Sequence, residues 1–159
     1  MNESPHLAYL NLGSNIQPET NLLKAVELLS VFGEIMQRSQ AWESEPIGTT
    51  GSNYLNMCVQ FQTHLEAIAL KEEVIHPVEN QLGRKRGPDK FAPRFMDIDI
   101  ILFDDQPINN ECWKLAFVVV PLADIYPKFI IPTTGESILE TATRLRREVW
   151  LEARRGILS

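Results

Sequence analysis

The sequence predicts one α+β domain in which helices cover a mostly antiparallel sheet. Three observations predict this class. A chain of 159 residues with 44% hydrophobic content is long enough for one compact core and short for two. Apolar runs with the period of strands are interspersed with apolar stripes at helical spacing, and turn-forming residues separate them. Because no repeat, low-complexity tract or linker interrupts the chain, we expect residues 1–159 to form a single domain.

The first half of the chain alternates predicted strands and a predicted helix. Residues 7–12 form an apolar run that ends in turn formers, which is typical of a strand, and 18–33 carry apolar side chains at helical spacing. Residues 34–43 form a weaker strand candidate, and 44–53 are rich in the Gly, Thr, Ser and Asn of loops. In 55–61 apolar and polar residues alternate, which predicts a half-buried strand.

The second half predicts two helices, a strand and a short apolar run. A helix is expected over about 65–82, where Pro77 predicts a kink or a later start because proline removes a helical hydrogen bond. Residues 96–103 predict a strand, 117–120 form the short apolar run, and 137–153 predict a C-terminal helix. The order βαββαβ indicates a ferredoxin-like sandwich with helices on one face, plus the C-terminal helix.

The charge of the chain is acidic overall and basic in one short segment. With 15 Lys and Arg against 21 Asp and Glu, the formal charge is −6, which argues against a surface built to hold nucleic acid or an anionic membrane. Residues 84–94 nevertheless carry five basic and one acidic residue, a local charge of +4. This basic segment requires an explanation of its own.

Cysteine usage and the N-terminal sequence indicate a reducing compartment. Cys58 and Cys112 are too few for a disulfide framework and lack the CxxC spacing of zinc or redox sites, so reduced thiols are expected. The N-terminus has no signal-peptide pattern, and no apolar stretch reaches the length of a membrane span. We therefore expect a cytoplasmic location.

Two aspartates lie inside the apolar run of the strand predicted over 96–103. Aspartate is a poor strand former, yet Asp97 and Asp99 flank Ile98 there. Strand side chains alternate, so both carboxylates are expected on one face, about 7 Å apart at their Cα atoms, with Ile98, Ile100 and Leu102 on the other. Such a pair can share one or two Mg²⁺ ions whose other ligands are water and phosphate. The alternative is that the two carboxylates lie on a solvated outer face of the sheet and bind no metal.

The basic segment 84–94 leads directly into this carboxylate pair. Cations beside a carboxylate-bound metal suit a polyphosphate, because they neutralise charge that develops during phosphoryl transfer. Its Gly and Pro residues predict a loop long enough to close over a ligand. The alternative for a basic loop is an ordinary solvated turn.

The segment 90–101, Lys-Phe-Ala-Pro-Arg-Phe-Met-Asp-Ile-Asp-Ile-Ile, resembles the signature of the 6-hydroxymethyl-7,8-dihydropterin pyrophosphokinases of folate biosynthesis. In that family a basic residue, a Gly or Ala, a Pro and an Arg precede Asp-x-Asp and two aliphatic residues. Further motifs of the family occur in its order at residues 13–15, 44–48, 53–56, 79–86 and 121–125. The resemblance covers nearly the whole chain.

This resemblance implies a ferredoxin-like enzyme that binds ATP and two Mg²⁺ ions. Pyrophosphate would pass from ATP to the hydroxymethyl group of the reduced pterin and leave AMP. Asp97 and Asp99 match the family's metal ligands, and Arg84, Arg86 and Arg94 fall at basic positions of its catalytic loop. We expect a monomer with small-molecule substrates, and neither nucleic acid nor a membrane as partner.

The resemblance also implies the residues that contact the pterin. They are Ser44, Ile47, Tyr54, Asn56, Phe91 and Phe117. Tyr54 and Phe117 fall where aromatic rings sandwich the pterin, although core packing would explain them equally without the resemblance. Asn56 falls where an amide reads the ring edge, and a polar residue between two apolar ones needs a hydrogen-bonding reason. Phe91 replaces a tryptophan that is usual in the loop.

The residues implied to contact ATP are Glu79, Arg84, Arg86 and Lys114. Here the chain departs from the family. Typical members carry a longer segment before Phe117, with a His-Pro or Pro-His element and an arginine that contact the ATP phosphates, whereas residues 112–116 contain neither His nor Arg. Lys114 and the arginines of the C-terminal helix are candidates for the missing charge.

Two other functions remain open at this point. The chain could be a pterin-binding paralogue with weakened catalysis, or a different Asp-x-Asp metal-dependent phosphoryl transferase. Nucleic-acid binding is disfavoured, because the aromatic signature of RNA-recognition motifs is missing, as are the GxxxxGK[ST] and GxGxxG phosphate loops.

Overall fold

The computed structural model describes residues 4–46, 51–83 and 95–156. The elements, in chain order, are β1 (His6–Ser14), α1 (Pro18–Phe32), β2 (Glu34–Arg38), β3 (Ala41–Ser44), β4 (Tyr54–Thr63), α2 (Ala67–Leu70), a π turn (Lys71–Ile75), α3 (His76–Gln81), β5 (Asp97–Phe103), β6 (Gln106–Pro107), a 3₁₀ turn (Asn110–Lys114), α4 (Ala116–Ile125), α5 (Ile138–Glu148) and β7 (Leu151–Arg154).

The strands form one antiparallel sheet in the order β6-β5-β1-β4-β3-β7, and β2 also pairs with β4. Strands β5, β1, β4 and β2, with α1 and the α2–α3 segment, give the predicted βαββαβ arrangement. The prediction of an α+β class with a mostly antiparallel sheet is therefore confirmed. Within the described ranges, no helix has the length and apolarity that a membrane crossing requires.

Helices cover both faces of the sheet. On the first face, α1 and the α2–α3 segment pack on Leu10 and Leu12 of β1 and on Phe61 of β4. On the second face, α4 and α5 pack on Tyr9 and Cys58, which alternate with those residues along the same strands. The prediction of helices on one face holds for the two helices of the βαββαβ unit, but α4 and α5 lie on the opposite face.

Helix α4 contains the apolar run 117–120, and Pro121 lies inside the helix rather than closing the run. Proline cannot donate to the helical ladder. The helix is nevertheless buried against the sheet and α5, with Val119 and Leu122 fully covered. Tertiary packing stabilises this helix, since its local sequence has little helical preference.

The predicted strand 34–43 is divided into β2 and β3 by a bulge. Arg38 pairs with Val59 and Trp42 with Asn56, so the β2–β3 side has one residue more than β4 between these pairs. The hydroxyl of Ser39 accepts a hydrogen bond from the Cys58 N–H at 2.8 Å. This bond satisfies a backbone donor that the ladder leaves unpaired at the bulge.

The two remaining predicted helices differ from expectation at one point each. A π turn precedes Pro77, with the His76 N–H bonded to the Lys71 carbonyl, so the helix accommodates the proline through a wide turn. In the C-terminal helix, Ser137 and Glu140 form a reciprocal capping box. That helix ends at Glu148, because the chain then becomes β7 and pairs with β3.

Candidate active site

The two aspartates of β5 lie on the second face of the sheet, as the strand period predicted. Asp97 is opposite Gly13 and Asp99 is opposite Asn11 of β1. Ile98 and Ile100 pack on the first face, as expected, but Leu102 does not. A register shift leads to pairing of Leu102 with Tyr9, which places Leu102 in the core of the second face. The irregularity inverts the alternation beyond Ile100.

A cavity of about 470 Å³ opens at the edge of β5 beside this carboxylate pair. Within the described residues, β6 pairs with β5 only at Leu102 and Phe103, so Asp97–Ile100 lie beyond the reach of β6. The cavity extends around this edge and is lined by residues of both faces. They are Lys71, Ile75, Asp97–Ile101, Ile108, Asn109, Glu111, Cys112, Leu115, Phe117 and Val118.

The carboxylate of Glu79 holds the outer edge of β5. Its Oε2 accepts a hydrogen bond from the Ile98 N–H at 2.8 Å, midway between the two aspartates, and the side chain is 2% exposed. A buried carboxylate in this position fixes the backbone that carries Asp97 and Asp99. The additional role of Glu79 in ATP binding stays a prediction.

Asn56 lies in the row of the sheet that contains Asp97. Gly13 pairs with Asp97 on one side and with Asn56 on the other. A Cβ at Gly13 would lie 2.5 Å from Nδ2 of Asn56, so the amide occupies the space that the glycine leaves. In the described part of the chain, the Oδ1 atoms of Asn56 and Asn11 are buried and accept no hydrogen bond. Such acceptors are costly, and they indicate a ligand or water as partner.

The remaining described pterin-side residues also lie on the second face. Ser44 and Tyr54 form a pair at the adjoining ends of β3 and β4, two positions from the pair Trp42 and Asn56 and therefore on the same face. Phe117 is in the first turn of α4 and lines the cavity. The register thus places these predicted contacts on the face that carries the aspartates.

Lys114 and the described arginines of α5 do not line the cavity. The ammonium of Lys114 is 3.1 Å from Glu111 Oε2 at an exposed position. Arg144 is 2.7 Å from Glu136, and the Arg146 guanidinium lies 4.9 Å from the Trp42 ring centre. The prediction that one of them supplies charge to ATP gains no support from these contacts.

Five predicted site residues lie outside the described residues. They are Ile47, Arg84, Arg86, Phe91 and Arg94. Their roles stay predictions.

The cysteine thiols are free, as expected. Burial raises the pKa of the Cys112 thiol to about 11, and the nearby Asp99 carboxylate adds to this effect. Burial also raises the pKa of Cys58. Both thiols are therefore protonated at neutral pH, although Cys112 lines the cavity, and neither has the thiolate character of a nucleophile or metal ligand.

The donor set at the cavity fits a hard divalent cation. Among residues 4–46, 51–83 and 95–156, no three His, Cys, Asp or Glu side chains form a group that could hold a metal. Asp97 and Asp99 are instead a pair on one face at the cavity wall. Mg²⁺ is commonly bound by one or two carboxylates, with water and substrate phosphates completing its octahedron. The two aspartates suit that mode of binding.

Asn11 and Lys71 were not among the predicted site residues. Asn11 is a polar residue between two leucines, the same signal that drew attention to Asn56, and it is 4% exposed. Lys71 has no local signal, because its place on the cavity wall depends on how the π turn faces the edge of β5.

The fold and site define the protein as an α+β domain with a carboxylate pair at the wall of a cavity. Residues 9–127 match the family model described as 7,8-dihydro-6-hydroxymethylpterin-pyrophosphokinase. A 2-amino-4-hydroxy-6-hydroxymethyldihydropteridine pyrophosphokinase of Aquifex aeolicus is 37% identical over 144 residues, 83% of this chain and 88% of its own length. The Bacillus subtilis protein of that name is 36% identical over 132 residues, 76% and 78% of the two chains.

The fold comparison agrees. A Plasmodium falciparum HPPK-DHPS chain, solved with pterin and p-hydroxybenzoate, superposes with a TM-score of 0.72 over 93% of this chain at 12% identity. This chain covers 44% of that longer chain, and the likeness concerns the fold alone. From the family model and the relatives, the chain belongs to the 7,8-dihydro-6-hydroxymethylpterin-pyrophosphokinase family. The resemblance inferred from the motifs is confirmed.

Proposed function

We propose that this protein transfers pyrophosphate from ATP to the hydroxymethyl group of 6-hydroxymethyl-7,8-dihydropterin, with Mg²⁺ as cofactor. The products are AMP and the pterin diphosphate. The observation that carries the proposal is the Asp97 and Asp99 pair on the wall of the 470 Å³ cavity that Phe117 also lines, in a chain of this family. An aromatic wall beside a carboxylate pair suits a flat heterocycle next to a polyphosphate.

Asp97 and Asp99 would hold the two Mg²⁺ ions. When bound, these ions neutralise the polyphosphate and the charge that develops on departing AMP. The chain prepares the site by fixing β5 from both sides. The β1 ladder holds one edge of β5, and the Glu79 carboxylate holds the Ile98 N–H on the other. The backbone that carries the two carboxylates is thus fixed before any ligand arrives, which lowers the cost of reorganisation.

The pterin would lie on the second face between aromatic residues. Tyr54 and Phe117 contact its two faces, and the unpaired Asn56 oxygen accepts a hydrogen bond from its edge. The main chain at Ser44 and Ile47, and the ring of Phe91, complete the proposed pterin contacts. This arrangement orients the hydroxymethyl oxygen for in-line attack on the β-phosphorus of ATP.

The proposed cationic groups come mainly from residues 84–94. Arg84, Arg86 and Arg94 would neutralise the phosphates during transfer. Nucleotide contacts by Glu79 and Lys114 stay predictions, because Glu79 is bonded to the Ile98 N–H and Lys114 pairs with Glu111. Guanidinium groups suit this role because they bind phosphate oxygens in pairs. A monomeric state and a cytoplasmic location stay predictions.

The test is AMP formation from ATP that requires both the pterin and Mg²⁺. The variants Asp97→Asn and Asp99→Asn keep the shape of the side chain and remove its charge. We expect each to lower kcat by more than about 100-fold, the scale of losing one preorganised electrostatic group. Asp105→Asn is the matched control, because Asp105 lies beyond the end of β5 and accepts a hydrogen bond from the Tyr126 hydroxyl.

Absence of pterin-dependent AMP formation by the parent chain would refute the proposal, as would full turnover by the Asp97→Asn, Asp99→Asn double variant. Titration calorimetry separates the alternative of a weakened paralogue, which would bind the pterin tightly and bind MgATP negligibly. Turnover of a different acceptor in a substrate panel would instead indicate another phosphoryl transferase.

A further inference from the structure

Among the described residues that line the cavity beside β5, acidic side chains outnumber basic ones. Asp97, Asp99 and Glu111 contribute carboxylates to its wall, and Lys71 is the one lysine or arginine among its described lining residues. A polyanionic substrate would meet chiefly the negative charge of the two aspartates at this wall, since Glu111 pairs with Lys114. Metal ions offset the charge of the aspartate pair, but a phosphate group away from the metals still needs a cation.

Lys71 is placed at the wall by the irregular helix. It is the first residue of the π turn, and the wide turn is closed by the bond from the His76 N–H to the Lys71 carbonyl. Ile75 follows at the other end of the turn and lines the same cavity. π turns change the direction of side chains relative to a regular helix, and they occur often at functional sites.

The ammonium of Lys71 is available for a ligand. Lys71 is exposed, and it forms no ion pair with any residue that the structure describes. Other described cations near the second face are engaged: Lys114 pairs with Glu111, and Arg144 pairs with Glu136. An unpaired lysine on the wall of an acidic cavity is the described group best suited to receive an anion.

The two ends of the cavity differ in chemistry. Leu115, Phe117 and Val118 form an apolar end on the second face, whereas Lys71 comes from the first face, with the edge of β5 between them. Isoleucines line the first-face side as well, so the difference between the two sides is the charge of Lys71, which suits an anion there, whereas Phe117 offers a ring surface on the other side. The aspartates on β5 then lie where the two substrates meet.

We propose that Lys71 binds a phosphate group of the nucleoside triphosphate at the end of the cavity opposite Phe117. This inference rests on the proposed function, because it takes ATP as the polyanion. The four-carbon side chain gives the ammonium the reach to follow a phosphate, and the contact contributes to nucleotide affinity rather than to the chemical step.

The test compares Lys71→Met with Lys24→Met, a matched loss of an exposed lysine on α1 that does not line the cavity. Binding of a non-hydrolysable ATP analogue with Mg²⁺ is measured by calorimetry. We expect Lys71→Met to raise the Kd about tenfold, which matches the loss of one charged hydrogen bond. Pterin binding and the Lys24→Met variant should stay at the parental values, and Lys71→Arg should restore most of the affinity.

Steady-state kinetics give a second readout. Lys71→Met should raise KM for ATP with kcat little changed, and the dependence of analogue binding on salt should become weaker. A parental nucleotide Kd and KM in Lys71→Met would overturn the inference while pterin-dependent AMP formation still supports the proposed function. An equal loss of pterin binding would indicate a structural role and also overturn it. Analogue binding that depends on Lys71 without any AMP formation would refute the proposed function alone.

Discussion

The substitution Asn56→Leu tests whether the site keeps a polar group that folding does not need. Asn56 is 4% exposed, and its Oδ1 is buried without a hydrogen bond from any described residue. A buried acceptor without a partner costs about 1–3 kcal/mol, and an apolar side chain of similar shape does not carry that cost. Leucine has the same branched arrangement of heavy atoms as asparagine, so the space above Gly13 remains filled, and the greater bulk of its methyl groups offsets part of the gain.

We therefore expect Asn56→Leu to raise the free energy of unfolding of the ligand-free protein by about 1 kcal/mol, at the lower end of that range because the Nδ2 donor is lost as well. For a chain of this length, this corresponds to a Tm increase of about 2–4 °C. The same change removes the acceptor proposed to read the pterin edge. Pterin affinity should fall about tenfold or more.

Asn21→Leu is the control, and its expected change in Tm has the opposite sign. Asn21 is also buried, but its Nδ2 donates to the Ile16 carbonyl at 2.6 Å, away from the cavity. Its replacement should lower the Tm and leave the pterin Kd unchanged. Thermal unfolding of the ligand-free variants and calorimetry with the pterin measure both quantities. If Asn56→Leu lowers the Tm as Asn21→Leu does and retains parental pterin affinity, the reasoning from the unpaired oxygen is wrong.

Two further predictions concern Gly13 and His6. Gly13→Ala should reduce pterin binding about as strongly as Asn56→Leu, because the new Cβ would lie 2.5 Å from Nδ2 of Asn56; unchanged calorimetric affinity would contradict this. The hydrogen bond to Asp104 raises the pKa of His6 above 6.5. The stabilisation that protonated His6 gives the folded protein is therefore full below pH 6.5 and is lost as the pH rises through the folded-state pKa. Urea unfolding between about pH 5.5 and 8.5 should show this loss in the parent and not in His6→Gln.

Sequence reasoning succeeded where the signal is local. The strand period of β4, the helical stripe of α1 and the start of the C-terminal helix at Ser137 each depend on neighbours within one or two turns. The aspartates of β5 were placed on one face correctly because alternation holds across the short segment from Asp97 to Asp99. These features require no knowledge of tertiary contacts.

Features that depend on distant pairing were not predicted. The end of the C-terminal helix at Glu148 follows from the pairing of β7 with β3, more than one hundred positions away in the sequence. Likewise, the bulge at Ser39 depends on Cys58, and the departure of Leu102 from the first face depends on its partner Tyr9. Local periodicity cannot report a partner strand, so boundaries and faces were wrong at these positions.

The candidate site is a product of register across three strands. Asp97 of β5, Gly13 of β1 and Asn56 of β4 form one row, and Asp99, Asn11 and Cys58 form the next on the same face. A slip of β5 by one residue would turn both carboxylates into the apolar core of the first face, where Ile98 packs. In the observed register the Glu79 carboxylate accepts the Ile98 N–H, whereas a slip would bring an aspartate carboxylate to the face on which Glu79 lies, where the like charges repel. The buried carboxylate of Glu79 thus links the correct fold of β5 to the orientation of the groups proposed to bind the metal, and this gives it a role in the site even without direct contact to a substrate.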